Sequence, residues 1–340
     1  MVISIIRLVV ASYYLILTYA HSYIPNWVVS NAGLLNNKSP IKTRMSDYVV
    51  RPRKDRASDG EHVDAMREFF WNKYNLVALE LGAMDGERFS ETVMFEEEFG
   101  WKRILIEGNP FYRKALNLAK SALAVNAVIC EPGKFVHYSK ARNSRVAATA
   151  GIIEYMAPKF FQNFHYFVHQ SCNRTDDPAA IDWNNPKCAH SVTEVPCVSL
   201  AEIFEYAHVK HIDFFVLDVE GAELSILKTV PWGKISFNVL VVETDVGFRP
   251  VGYAEQVAAF LDPLGYERVA GVPGRNSWFV RSRFKRSKYP YSKEGCFTGA
   301  TSAMLHRGRI DASKGTKEYD CLYRTDPKNS SNIMPMFPAW

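Results

Sequence analysis

LVALELGAMDGERFSETVMFEEEFGWKRILIEGNP, residues 76–110, sets out an apolar strand, a glycine turn, an amphipathic helix and a second apolar strand ending in a carboxylate. Residues 77–81 are short and apolar enough for a buried parallel strand, and Gly82 and Gly86 bracket a turn where backbone passes close to a ligand. Glu107 closes the second strand, read over 103–106, one βα unit later. A carboxylate there can accept hydrogen bonds from both hydroxyls of a ribose, which is the logic of the acidic residue in doubly wound nucleotide sites. The turn also excludes ligands. A phosphate cradle offers N–H groups and a cation, whereas Glu80 precedes this turn and Asp85 lies within it, so a polyanion meets like charge. A nicotinamide dinucleotide fares no better, because G-x-G-x-x-G is missing. The turn favours a cationic nucleoside.

The E-L-G-A-x-D-G turn followed by I-E-x-N-P resembles the S-adenosylmethionine site of the FkbM-type methyltransferases. Residues 195–200 (VPCVSL), 212–227 (IDFFVLDVEGAELSIL) and 239–244 (VLVVET) resemble that family's later strands in the same order, so the resemblance runs from about 76 to 281. It implies an α/β, class I, Rossmann-like methyltransferase with a mostly parallel seven-stranded sheet and a terminal antiparallel hairpin. Carried over by position, Glu80, Gly82, Ala83, Asp85, Gly86, Glu107, Asn109 and Asp218 would bind S-adenosylmethionine, with Asp218 and Glu220 beside the methyl donor. The reaction implied is methyl transfer from a sulfonium to a hydroxyl oxygen, in which the enzyme chiefly aligns the reactants and excludes water. Asp218, Glu220 and Glu243, with His137 by strand position, are the candidates for taking a proton, and the residues alone assign that role to none of them. Glu223 is read as the start of a helix, where a carboxylate favours the positive dipole.

The rest of the chain sets an address. Residues 1–20 are apolar except for Arg7 and a few hydroxyls, and read as a signal peptide or a signal anchor, the chain's one expected contact with a membrane. Residues 21–60 read as a polar stem: Lys38, Lys42, Arg44, Arg51, Arg53, Lys54 and Arg56 are mixed with Asp47, Asp55 and Asp59, a solvated segment with no case for nucleic acid at a net charge of +5. Three glycosylation sequons, at Asn37, Asn173 and Asn329, and six cysteines agree with the secretory pathway. Cys296 with Cys321 is the first expected disulfide and Cys172 with Cys188 the second. A zinc site built from His165, His169, Cys172, Cys188, His190 and Cys197 is set aside, since tight C-x2-C pairs are missing; no metal is expected. The compartment alone makes a glycan hydroxyl a natural acceptor. It also raises a second expectation, because the methyl donor is made in the cytosol: Star-like membrane proteins resemble the same domain and are associated with cargo handling, so a non-catalytic binding scaffold fits too.

At 340 residues and 47% hydrophobic content the chain can bury one large core, read over 61–283, with a C-terminal extension over 284–340. Helices are predicted over 61–74, with Val63, Met66, Phe69 and Phe70 inward, and over 90–99, 112–120, 222–230 and 253–264. Strands are predicted over 123–129, 134–138, 195–200, 212–218 and 239–242, with 266–270 and 277–281 as the closing pair. Residues 147–193 break this rhythm as an insertion whose aromatics, Phe160, Phe161, Phe164, Tyr166 and Phe167, serve either a lid over the site or a small core of their own.

Overall fold

Five apolar runs pair in parallel because each is buried on both faces and can alternate its side chains between two cores. The computed structural model describes residues 25–31, 40–48, 60–116, 123–140, 148–172, 177–244, 249–270, 272 and 276–288. Residues 1–20, the three sequon asparagines, Cys296 and Cys321 lie outside these. Among the described residues no helix is long and apolar enough to cross a membrane.

The chain enters the main sheet at β1 (Val28–Asn31), antiparallel to β4 (Leu123–Asn126). From β4 the sheet runs in parallel through β3 (Lys102–Glu107), β2 (Val77–Leu81), β8 (His211–Leu217) and β9 (Ser236–Val242). Two antiparallel strands follow, β11 (Ser277–Arg281) and then β10 (Tyr266–Arg268) at the edge. The sheet therefore has eight strands among the described residues, one more than the sequence predicts. The extra strand comes from the segment read as stem, where Val28 is buried; Met45 and Tyr48 are buried as well, Tyr48 edge-on to Phe99.

Alternation along β2 and β8 sorts the core. Leu79, Leu81, Phe215 and Leu217 face one side, with Leu200, Ile203 and Phe204 of α6 (Leu200–Tyr206), Ile226 and Leu227 of α7 (Glu223–Thr229) and Val257 and Leu261 of α8 (Tyr253–Leu261). Ala78, Phe214 and Val216 face the other, with Val63 and Met66 of α1 (Glu61–Glu68) and Phe95 and Phe99 of α2 (Val93–Phe99). The helix predicted over 61–74 stops at Glu68, and Asn72 turns the chain at φ 57°. Phe69, Phe70 and Trp71 leave helical geometry there to fill the core around Trp278 and Trp101.

The strand predicted over 123–129 breaks at Ala127, where the chain leaves the main sheet to form β5 (Val128–Ile129). β5 joins β6 (Phe135–Ser139) and β7 (Val192–Val198) in a second, three-stranded sheet, so 134–138 belongs there and not to the main sheet. Because Val128 and Cys197 are partners in the parallel β5–β7 pair, Cys130 and Cys197 come within reach and form a disulfide that the sequence does not announce. Cys172 and Cys188 form the second disulfide, inside the insertion. There α3 (Arg113–Leu116) is already behind, and α4 (Pro158–Phe164) and α5 (Tyr166–Ser171) pack Phe160, Phe161, Val168 and Ile181 into a separate small core.

Candidate active site

β2 is the strand from which the chain winds first to β3 and β4 and then, on the other side, to β8 and β9. Ligands in open α/β sheets collect at such a switch point, outside the carboxyl ends of the strands. A cavity of about 540 Å³ lies there, reaching from Glu107 and Tyr138 past Gly82 to Asp218, Glu220, Glu243 and Asn276. Glu61, Glu80 and Glu91 also line it, so the described lining carries seven carboxylates and neither lysine nor arginine.

Glu107 ends β3 almost fully buried. Its Oε2 accepts from the Met84 N–H at 2.7 Å and its Oε1 from the Asn109 N–H at 2.6 Å, with the Tyr138 hydroxyl 3.4 Å away. Oε2, with one donor, keeps a second lone pair for a ligand, while Oε1 is shared between Asn109 and Tyr138. Burial outweighs these donors and pushes the Glu107 carboxyl up to about 7.

Gly82 answers a steric demand inside the protein. Its φ is +94°, and a Cβ there would sit 1.8 Å from the carbonyl oxygen of Asp218. The ends of β2 and β8 thus touch backbone to backbone, and Gly82 and Asp218 both line the cavity. Glu80 lines the cavity, but its oxygens are taken by the Ser90 hydroxyl at 2.7 Å, the Glu91 N–H at 3.0 Å and Thr92. It fixes the loop before α2, and burial raises its pKa.

Ala83, Asp85 and Gly86 build the turn after β2 and Asn109 the one after β3, and none of them is part of the cavity lining. Ala83 packs with Leu105, Leu116 and Ala124. Asp85 accepts from the Glu87 and Arg88 N–H groups and pairs with Arg88 Nε at 2.6 Å. The carbonyl of Gly86 accepts from Arg103 at 2.8 Å, and Asn109 Oδ1 accepts from the Phe111 N–H at 3.0 Å to start the turn at Pro110–Tyr112. His137 belongs to neither turn nor cavity: its ring lies 2.6 Å from Glu154 and is stacked on Trp183.

Asp218, exposed at the end of β8, Glu220 and Glu243 each bring a carboxylate oxygen within 4.8 Å of the others, close enough for a cation to bridge them. The cation placed against two of them is Arg249, which the sequence reading missed. Its guanidinium is 1% exposed, contacts Glu243, and lies 3.0 Å from Glu223 and 3.6 Å from Glu220. Burial and the neighbouring Asp218 raise the pKa of both Glu220 and Glu243 well above the carboxylate range. Burial works against the charge of Arg249, but Glu223, Glu243, Glu220 and Asp218 outweigh it and hold the arginine charged.

Glu223 is fully buried and serves the loop: it accepts from the Gly221 N–H at 3.0 Å and the Tyr253 hydroxyl at 2.9 Å. Gly221, at φ +116°, is pressed against the insertion, where a Cβ would lie 2.6 Å from the Tyr155 carbonyl oxygen. The insertion also supplies Phe160 and Phe164 to the cavity wall while both belong to its own core, so it is a small core and a wall at once. His165 sits in that layer, its Nε2 2.9 Å from the Thr149 carbonyl oxygen, and burial lowers its pKa to about 4.

Fold and site together define a methyltransferase-type α/β domain with a carboxylate-rich crevice. The model of the methyltransferase FkbM domain matches residues 80–268, more than half of the chain, and the protein belongs to that family. No curated protein matches it. Among solved structures, a precorrin-6y C5,15-methyltransferase from Geobacter metallireducens GS-15 is similar at 13% identity and a TM-score of 0.27, over 61% of this chain and 78% of that one.

Proposed function

We propose that the protein is a class I, S-adenosylmethionine-dependent O-methyltransferase acting on a carbohydrate hydroxyl in the secretory pathway. The observation that carries the donor assignment is the cavity itself, whose described lining offers seven carboxylates and no cation. Such a lining offers acceptors to an ammonium and a ribose diol, and neither a lysine nor an arginine to a phosphate.

The residues fit that donor one part at a time. Glu107 would take the ribose hydroxyls, one on the free lone pair of Oε2 and one on Oε1 as the Tyr138 hydroxyl turns to the Ala150 carbonyl; Ala127, Val128 and Ile129 give an apolar shelf beside it for a base, and the crossing at Gly82 leaves room for the backbone-hugging chain. Asp218 and Glu220 would face the cationic end. When bound, the donor supplies an electrophilic methyl carbon.

The neighbouring strands order the rest. At ~4.8 Å per strand, Glu107 on β3 and Glu243 after β9 are separated by about 15 Å across the sheet, enough to seat donor and acceptor in a row with Asp218 between them. Asp218, the exposed carboxylate at the junction, would accept the hydroxyl proton, and Phe160 and Phe164 would exclude water. The two disulfides fit an oxidising compartment, which favours a glycan as the hydroxyl bearer.

The experiment is to incubate the disulfide-formed protein with methyl-labelled S-adenosylmethionine and neutral oligosaccharides, and to read transfer by mass. Acceptors gaining one labelled methyl group, with loss of transfer in Asp218→Asn, are the expected result. Donor binding without transfer to any hydroxyl acceptor would refute the O-methylation part of the proposal.

A further inference from the structure

Opposite in character to the acidic cavity is a strip at the end of β11. Residues 281–288 read RSRFKRSK, five cations and no carboxylate in eight positions. Such a run is ordinarily just a solvated surface, but here the backbone is pinned at three points. Ser282 donates from N and Oγ to the Gly265 carbonyl at 3.0 and 2.9 Å. Phe284 turns back on Arg281, and its ring packs 5.7 Å from that of Phe70. Ser287 donates to the Phe69 carbonyl at 3.0 Å and receives the Trp71 N–H at 2.8 Å.

The residues that anchor the strip are therefore the serines and the phenylalanine, while Arg281, Arg283, Lys285, Arg286 and Lys288 are all exposed. Arg286 lies 5.3 Å over the Phe69 ring and Lys288 is 3.2 Å from Glu68; the other three make no ion pair among the described residues. Anchoring removes the ordering cost that a flexible basic tail would meet on binding.

We infer that this strip is a binding site for an acidic polysaccharide, one bearing sulfate or carboxylate groups along a linear chain. Three of the five cations are arginines, whose forked donors pair with such groups bidentately. The single aromatic of the strip is turned into the core, so no apolar residue of the strip is left to enter a bilayer, and the two disulfides fit a compartment where polysaccharides are met and nucleic acids are not. This site stands apart from the proposed methyl transfer.

The test is binding of the full chain to immobilised heparin at about 0.15 M salt and across a salt series, since such binding weakens steeply as salt rises. Phosphatidylserine–phosphatidylcholine vesicles and single-stranded DNA at equal charge are the comparison arms. Heparin is expected to bind most tightly, and Arg283→Glu with Lys285→Glu is expected to weaken it by at least about tenfold. Arg281→Gln with Arg283→Gln keeps the test valid if charge reversal disturbs folding. Wild-type affinity in both double variants, loss only on replacing Arg51, Arg53, Lys54 and Arg56, or tighter binding to vesicles or DNA would each overturn the inference.

Discussion

The guanidinium of Arg249 contacts the carboxylate of Glu243 and, by the same Nη2, reaches Glu223 at 3.0 Å. One buried cation thereby ties the end of β9 to the first turn of α7 behind the cavity, and its plane faces the Phe160 ring 5.5 Å away. Removing it would strand several buried carboxylates, a loss of about 3–5 kcal/mol by comparison with other broken buried pairs. Arg249→Leu is expected to lower the melting temperature by roughly 10 °C, with Arg249→Lys losing less; differential scanning calorimetry decides.

The contact between the ends of β2 and β8 makes a separate prediction. Gly82→Ala would force a methyl group to within 1.8 Å of the Asp218 carbonyl oxygen at a φ of +94°. The substitution should cost on the order of 3 kcal/mol or more and abolish donor binding, whereas Gly133→Ala, where a Cβ would meet nothing, should cost only the strain of its positive φ. Urea unfolding of the two variants compares them directly.

Glu107 gives the site a pH dependence. Its folded pKa of about 7 lies above the ordinary 4.5, so the native state holds this proton longer than the unfolded chain does. From this group alone, stability of the ligand-free protein falls as pH rises from about 4.5 to 7 and is level above that. Donor affinity should move the other way, because only the ionised carboxylate offers both oxygens as acceptors to the ribose. Affinity for S-adenosylhomocysteine is expected to strengthen between pH 6 and 8, and Glu107→Gln should bind weakly with that dependence removed.

The Cys130–Cys197 bond closes 67 residues and holds the three-stranded sheet beside the cavity. Chain-entropy reasoning puts its contribution at about 4 kcal/mol. Replacing both cysteines by serine should lower the denaturation midpoint by more than replacing Cys172 and Cys188, which close only 16 residues. Peptide mapping without reduction checks both bonds.

How much of this was legible in the sequence depends on range. The parallel strands, Glu107 and the Asp218 turn follow from local apolar runs that end in acid. The motif also groups Ala83, Asp85, Gly86 and Asn109 with them; in the structure Ala83 packs in the core, the Asp85 and Asn109 side chains and the Gly86 carbonyl hold the two loops, and which of these face the cavity depends on directions a motif does not carry. Arg249 was illegible because its partners, Glu220, Glu223 and Glu243, come from two other chain segments. The same holds for Cys130 and Cys197, joined only once β5 lies on β7. The strand at Val28–Asn31 could have been suspected, since WVVS is a short apolar run between turn residues, but its setting in a polar segment hid it.

The measurement that bears most directly on the central claim is isothermal titration of S-adenosylmethionine and S-adenosylhomocysteine into the disulfide-formed protein, beside Glu107→Ala and Asp218→Ala. Micromolar binding by the wild type, with a loss of at least about tenfold in each variant, is the predicted result. Well-folded wild-type protein that binds neither compound would contradict the account and leave a partner-binding scaffold in its place.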